Sequence, residues 1–344
     1  MKWETTNQYD LGLDMAFFNN RVNLVFDIYY KKTTDLLQYK LIPMSSGFKE
    51  IAYNYGDVIN KGLEISGHFI PVKTRNFLWS LDANISFNRN RVENLNADQF
   101  SDVVWGMESM FLRRNGYAIG TLYGYVEDGF YDNEAEVRAD PYYTNESDAK
   151  VKSMVGQIKY KNLDDDPVID DRDKTIIGDT NPDYQYGLTS TMSYKNWTFS
   201  FFLQGTQGND ILNANLLAFD LVGGNNMPHF VWDNRWTSEN RDNAKWPRPD
   251  GTYTRSMKAS DRYVEDGSYL RCKNISLSYR WLHPVKFVES LSLTASVTNL
   301  FTISNYSWYD PDVNSFGSDA SRRGVDVSSY PSARTFNFGI QLSF

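Results

Sequence analysis

Apolar and polar residues alternate along most of this chain with a period of two, which is the period of a strand with two unlike faces. Tyr9, Leu11, Leu13, Met15 and Phe17 stand against Asp10, Gly12, Asp14 and Ala16. After the turn FNNR, Val22, Leu24, Phe26, Ile28 and Tyr30 stand against Asn23, Val25, Asp27, Tyr29 and Lys31. The scheme returns over 63–69, 77–87, 186–194, 197–203, 275–281, 291–301 and 334–344. It predicts about nine strands, most of them near the roughly 9–11 residues with which a tilted strand crosses a bilayer. The last one closes the chain as RTFNFGIQLSF, with Phe336, Phe338, Ile340, Leu342 and Phe344 on one face.

The connections alternate as well. Short ones fall at 18–20, 73–76, 195–196 and, less tightly, 282–290; long ones fall at about 36–56, 95–183, 205–267 and 303–332. Within the second long connection, IGTLYGYVEDGFY is the place where a further strand would lie. Soluble sandwiches show no such strict rhythm. Outer-membrane barrels do, with short periplasmic turns and long extracellular loops. The expected fold is therefore all-β: one unit over 1–344, part of a large antiparallel transmembrane β-barrel. Asp, Asn, Ser, Thr and Gln would face a wet lumen, and Leu, Ile, Phe, Trp and Tyr would face lipid. Counting back from a final strand that runs toward the periplasm, the first of nine strands also runs that way. Barrels of one chain normally have an even number of strands, so the segment reads as the C-terminal part of a larger barrel. The opening MKWETTNQYD agrees, since it lacks the apolar stretch of a signal peptide.

Composition narrows the function classes. The chain has 344 residues and a net charge of −8, with a pI near 5.0. That argues against nucleic acid, whose phosphates require a basic stripe. Mean hydropathy is −0.53, and no apolar run approaches the about 18 residues of a membrane helix. Neither excludes a barrel, because each barrel strand is half polar. A single cysteine, Cys272, forbids an internal disulfide, and simple alternation puts it on the lumen face. The 23 Tyr, 21 Phe and 9 Trp are many for so polar a chain; a lipid-facing surface gives them a place.

Several stretches together resemble the SusC/RagA-type TonB-dependent outer-membrane transporters of Bacteroidetes-like bacteria. They are KWETTNQYDLGLDMAFFNNRVNLVFDIYYKKTTDLL, NYGDVINKGLEI, IGTLYGYVEDGFY, GQIKYKNLDDDPVIDDRDKTIIGDTNPDYQYGL, VEDGSYLRCKNISLSY, VTNLFTISNYSWYDP and YPSARTFNFGIQLSF. The resemblance spans residues 2–344 and implies a barrel of about 22 strands that encloses a plug domain. It also implies TonB-energised import of oligosaccharides or peptides. The expected partners are a SusD-like surface lipoprotein acting as a lid, TonB through an N-terminal plug region, outer-membrane lipid, and the barrel-assembly machinery. The resemblance makes the terminal run Phe336, Phe338, Ile340, Leu342 and Phe344 the assembly signal, on a strand that closes the barrel and removes its edge.

Candidate site residues fall in the long loops. NLDDDPVIDDRD, 162–173, has EF-hand-like spacing: Asn162, Asp164 and Asp166 at positions 1, 3 and 5, the Val168 carbonyl at 7, Asp170 at 9 and Asp173 at 12. Such spacing can wrap Ca2+. The family commonly has glycine where Asp165 and Pro167 stand here, and a solvated acidic loop without metal is the alternative. Trp232, Trp236 and Trp246, with Tyr306, Trp308 and Tyr309, are the candidates for stacking on sugar rings or packing against the lid; loop-to-loop packing is the alternative for each. Trp79 and Trp197 are expected in the interfacial girdle. Catalysis finds no constellation: His68, His229 and His283 lie on separate stretches, and HExxH and GxSxG are absent. His68 is expected to line the lumen beside Glu64. The rival readings are an outer-membrane barrel with an adhesive or enzymatic role, and a soluble carbohydrate-binding β-sandwich.

Overall fold

The computed structural model describes residues 2–41, 43–48, 50–101, 108–164, 166–217, 226–249 and 258–344. Nine long strands build one antiparallel sheet: β1 Thr5–Phe17, β2 Val22–Thr34, β3 Asp57–Lys73, β4 Phe77–Glu93, β5 Tyr184–Tyr194, β6 Trp197–Gln207, β7 Tyr269–Val285, β8 Val288–Ser304 and β9 Thr335–Ser343. Each pairs with its sequence neighbours, so the sheet is a simple meander. These are the nine strands that the alternation predicts, most of them lengthened at the end that carries the long connections. The short turns all lie at the other end. Phe18, Asn19 and Asn20 turn the chain with φ of 56°, 56° and 63°, a left-handed run in which asparagine is the most tolerant side-chain-bearing residue. Thr74 closes the next turn, its backbone N–H donating to the Phe77 carbonyl at 2.8 Å.

Register carries the two faces across the whole sheet. One row reads Trp79, Met192, Phe199, Leu277, Ala295, Phe338, each directly opposite the next. A row on the other face reads Thr191, Ser200, Ser276, Ser296, Asn337, and one nearer β1 reads Gly12, Asp27, Glu64, Ser86, Gln185, Thr206. Among the described residues nothing covers the apolar face of the last strand: Phe338 is 85% exposed and Ile340 74%. A patch of that extent is untenable in water and suited to hydrocarbon. Among the described residues no helix is long and apolar enough to cross a membrane.

The ladder is interrupted between Phe69 and Val72 and between Leu282 and Val285 near the turns, and once more toward the crown end of β7. The ladder slips between Phe202 and Leu203 and again between Cys272 and Asn274, where Asn299 takes φ 53°. The slip sets Cys272 opposite Leu203 and Phe301, members of the apolar rows, and Arg271 opposite Gln204 and Thr302. The expectation that Cys272 faces the lumen assumed an unbroken period of two; a bulge shifts side chains beyond it to the opposite face.

The described parts of the long connections within 35–56, 94–183, 208–268 and 305–334 fold into a second layer, here called the crown. It holds a four-stranded sheet of 175–179, 121–124, 111–113 and 99–101, a three-stranded sheet of 264–266, 210–213 and 325–326, and the pair 127–130 with 158–160. IGTLYGYVEDGFY thus contributes two crown strands and no wall strand. Met110, Phe111, Leu122, Leu212, Leu217, Val231, Trp246, Tyr263 and Val325 form one buried core drawn from three of the connections. Two short helices, α1 Glu134–Ala139 and α2 Asp148–Met154, are capped by Asn133 and Ser147 and pack through Val137 and Val151 around Tyr131.

Candidate functional site

The crown's geometry begins with its anchors to the wall. Arg271 of β7 is almost wholly buried. It donates to Thr302 Oγ1 of β8 at 2.9 Å, to Asp312 at 3.4 Å and, most closely, to Asp310. Asp310 also accepts the N–H groups of Asp312 and Ser332, both at 2.9 Å. Burial pushes the Asp310 carboxyl up, but those N–H bonds and the guanidinium outweigh it and hold the group below the usual carboxylate value. One buried ion pair therefore fastens the last long connection to the mouth of the wall.

The six aromatic candidates divide by burial. Trp236, Trp246 and Tyr306 are buried. Trp236 donates from Nε1 to Asp132 at 3.1 Å and presses on Gly156, where a Cβ would lie 2.5 Å from its ring. Trp246 belongs to the crown core, and its carbonyl accepts from Trp236 N at 2.7 Å. The Tyr306 hydroxyl donates to Asp326 at 2.7 Å. These three pack loop against loop inside the crown, because long loops that pack on one another need apolar mass inside. Trp232 and Tyr309 remain exposed, at 49% and 72%. Arg235 lies 3.5 Å above the Trp232 ring, and Trp308 meets Tyr309 edge-on at 5.1 Å.

A cavity of about 390 Å³ opens between the 127–130/158–160 strand pair and the acidic loop, lined by Asp128, Asp140, Lys159, Tyr160, Lys161, Asn162 and Ile169. Beside it the Lys258 ammonium sits 4.4 Å above Tyr125 and 5.3 Å above Tyr160. Burial pushes that ammonium down and the Tyr125 phenol up to about 12. Nothing local in the sequence signals this cation between two rings, since Tyr125 and Lys258 are more than a hundred positions apart.

The acidic loop is occupied by its own arginine. Arg172 reaches Asp164 at 3.3 Å, Asp170 at 2.9 Å and Asp166 more closely still. Asp173 is fully buried, and its two oxygens accept Leu163 N and Asp170 N, each at 2.8 Å. Among the described residues no group of three or more His, Cys, Asp or Glu side chains is arranged to hold a metal; Asp165 lies outside them.

On the polar face of the wall, His68 Nδ1 meets Asp82 at 2.6 Å, and Tyr29 crosses Gly62 to donate to Asn88 at 2.9 Å. His68, His229 and His283 lie on β3, a short crown helix and β7. On the apolar face, Trp79 donates to Ser190 Oγ at 3.1 Å and covers that hydroxyl. Trp197 meets Tyr279 at 4.7 Å, its ring tilted 53° to it, near the turns. Phe336, Phe338, Ile340 and Leu342 stand opposite Val297, Ala295, Leu293 and Leu291 of β8, and Phe344 follows on the same face.

A two-faced meander of this kind, with its apolar side uncovered, defines a segment of an outer-membrane barrel. The chain belongs to the family described as TonB dependent receptor-like, beta-barrel, whose profile matches residues 1–300. It is similar to TonB-dependent receptor P3 of Formosa agariphila, at 35% identity over 100% of this chain and 34% of that one. It is also similar to TonB-dependent receptor SusC of Bacteroides thetaiotaomicron, at 31% identity over 100% of this chain and 32% of that one. Its fold matches that of the RagAB peptide transporter with a TM-score of 0.77 at 21% identity, covering 100% of this chain and 36% of that one. The chain thus spans about a third of the length of these relatives.

Proposed function

We propose that this chain forms nine strands of the wall, and part of the extracellular rim, of a TonB-energised importer of oligosaccharides or peptides. A plug in the rest of the transporter makes the TonB contact, and a SusD-like lipoprotein closes the mouth. The observation that carries this reading is the crown: three long connections share one hydrophobic core and so present a shaped rim above a wall whose inner rows are polar. Trp232 and Tyr309, the aromatics left exposed, are the contacts we assign to substrate or lid. The Phe336–Phe344 face acts as the signal to the barrel-assembly machinery. We assign this segment no catalytic step.

Two measurements test the reading. A strain lacking the gene is grown on single glycans and on peptide pools; loss of growth on one class names the substrate class, and undiminished uptake on all of them ends the importer reading. In the complete transporter, Phe344→Asp lowers the surface-labelled fraction relative to total protein. Unchanged surface levels return Phe344 to an ordinary strand end.

A further inference from the structure

The spacing of Asn162, Asp164, Asp166, Val168, Asp170 and Asp173 calls for a divalent cation, and the folded loop does not fit one. Position 12 of such a loop should offer its carboxylate to the ion. Asp173 is fully buried, and both its oxygens are taken up by the backbone N–H groups of Leu163 and Asp170. Position 1, Asn162, donates its amide to the Asp166 carbonyl. Where an ion would draw Asp164, Asp166 and Asp170 together, the Arg172 guanidinium touches all three. Its fork also makes paired bonds to Asp170 from Nε and Nη2. A planar guanidinium with five donors is well suited to several carboxylates at once.

We propose that Arg172 is the loop's built-in cation: it stands in the place of a divalent ion and closes the 162–173 loop without one. Three carboxylates held within reach of one another repel, and a fixed positive charge relieves that repulsion with no dependence on dissolved cation. The tether also makes occupancy a property of the fold, because the guanidinium is supplied by the same loop at high effective concentration. The carboxyl of Asp170 is held low first by its side-chain bond to Arg172, in keeping with a charge shared inside the loop. Asn162 and Ile169 of the same loop line the crown cavity.

The test uses the complete transporter in detergent, with limited proteolysis of the 162–175 segment followed by mass spectrometry, in chelator and in millimolar calcium. Wild-type cleavage is expected to be slow and equal in both. Arg172→Gln should be cut roughly fivefold faster in chelator, the scale of a few exposed ion pairs lost together, and calcium should return it toward the wild-type rate. Arg172→Lys, which keeps the charge and loses the fork, should fall between. Slower wild-type cleavage on adding calcium overturns the proposal, since the loop would then be an ion site after all. An Arg172→Gln loop that is no more labile, or that loosens without responding to calcium, overturns it too, leaving Arg172 as one surface ion pair among others.

Discussion

Phe111 and Phe338 both sit in strands, and they mean opposite things. Phe111, in the crown, is 1% exposed and packs with Met110, Leu122 and Val325. Phe338, in the wall, is 85% exposed. The wall places its apolar side chains outward against lipid and its polar ones inward, whereas the crown is an ordinary water-soluble core built from loops. One molecule therefore uses two solvents, and the same residue type is stabilised by burial in one layer and by lipid contact in the other.

The largest effect should come from Arg271, where the two layers are fastened. Arg271→Ala leaves the Asp310 carboxylate buried without its guanidinium, a loss of about 3–5 kcal/mol. Proteolysis within 305–334 should rise sharply while the heat-modifiable mobility of the barrel persists; a crown as resistant as wild type would show that the layers do not depend on this joint. The same pair sets a pH window. Because the folded Asp310 carboxyl is held low, its stabilisation is complete above the unfolded value of about 4 and is lost as pH falls through the folded one. Crown protection should then be flat from neutral to mildly acidic pH and fall only in stronger acid.

Phe111→Ala removes a large side chain from the crown core and should cost about 3–5 kcal/mol, again with loss of crown protection and not of barrel assembly. If assembly fails as well, crown and wall fold as one unit and the contrast drawn here is too sharp. In the wall, Ile340→Arg puts a charge on the lipid side and should cost about 2–4 kcal/mol near the bilayer centre. Asn337→Arg, on the opposite face of β9, should leave the heat-shifted band unchanged. Equal effects at the two positions would break the assignment of faces. The smallest change expected is Trp79→Phe, which keeps an aromatic ring but strands the Ser190 hydroxyl. About 1 kcal/mol, read as a small drop in the urea midpoint of the barrel in detergent, would sharpen the account of how polar groups are shielded on the lipid side.

Much of the wall is legible in the sequence. Nine strands, their faces and the short–long rhythm follow from the period of two, a local property each strand repeats along its own length. The terminal run from Phe336 to Phe344 reads on one face for the same reason. What failed was local order extrapolated past an interruption: a single slipped residue near 273 turns Cys272 to the other face.

The crown was hidden for a different reason. Its packing joins Met110 to Leu212 and Val325, and Trp236 to Asp132 and Gly156, over separations that no periodicity spans. Exposed and buried tryptophans look alike in a polar loop, so Trp232 could not be told from Trp246. The acidic loop shows the same division. Its spacing was plain in the residues, but the choice between a dissolved cation and Arg172 rests on where a flexible side chain lies once the loop has closed. Sequence alone determined the side of the membrane wall on which strand residues stand wherever the ladder runs unbroken, because alternation is set by the backbone. Tertiary structure alone decided which loop residues meet, because that depends on shapes brought together from distant parts of the chain.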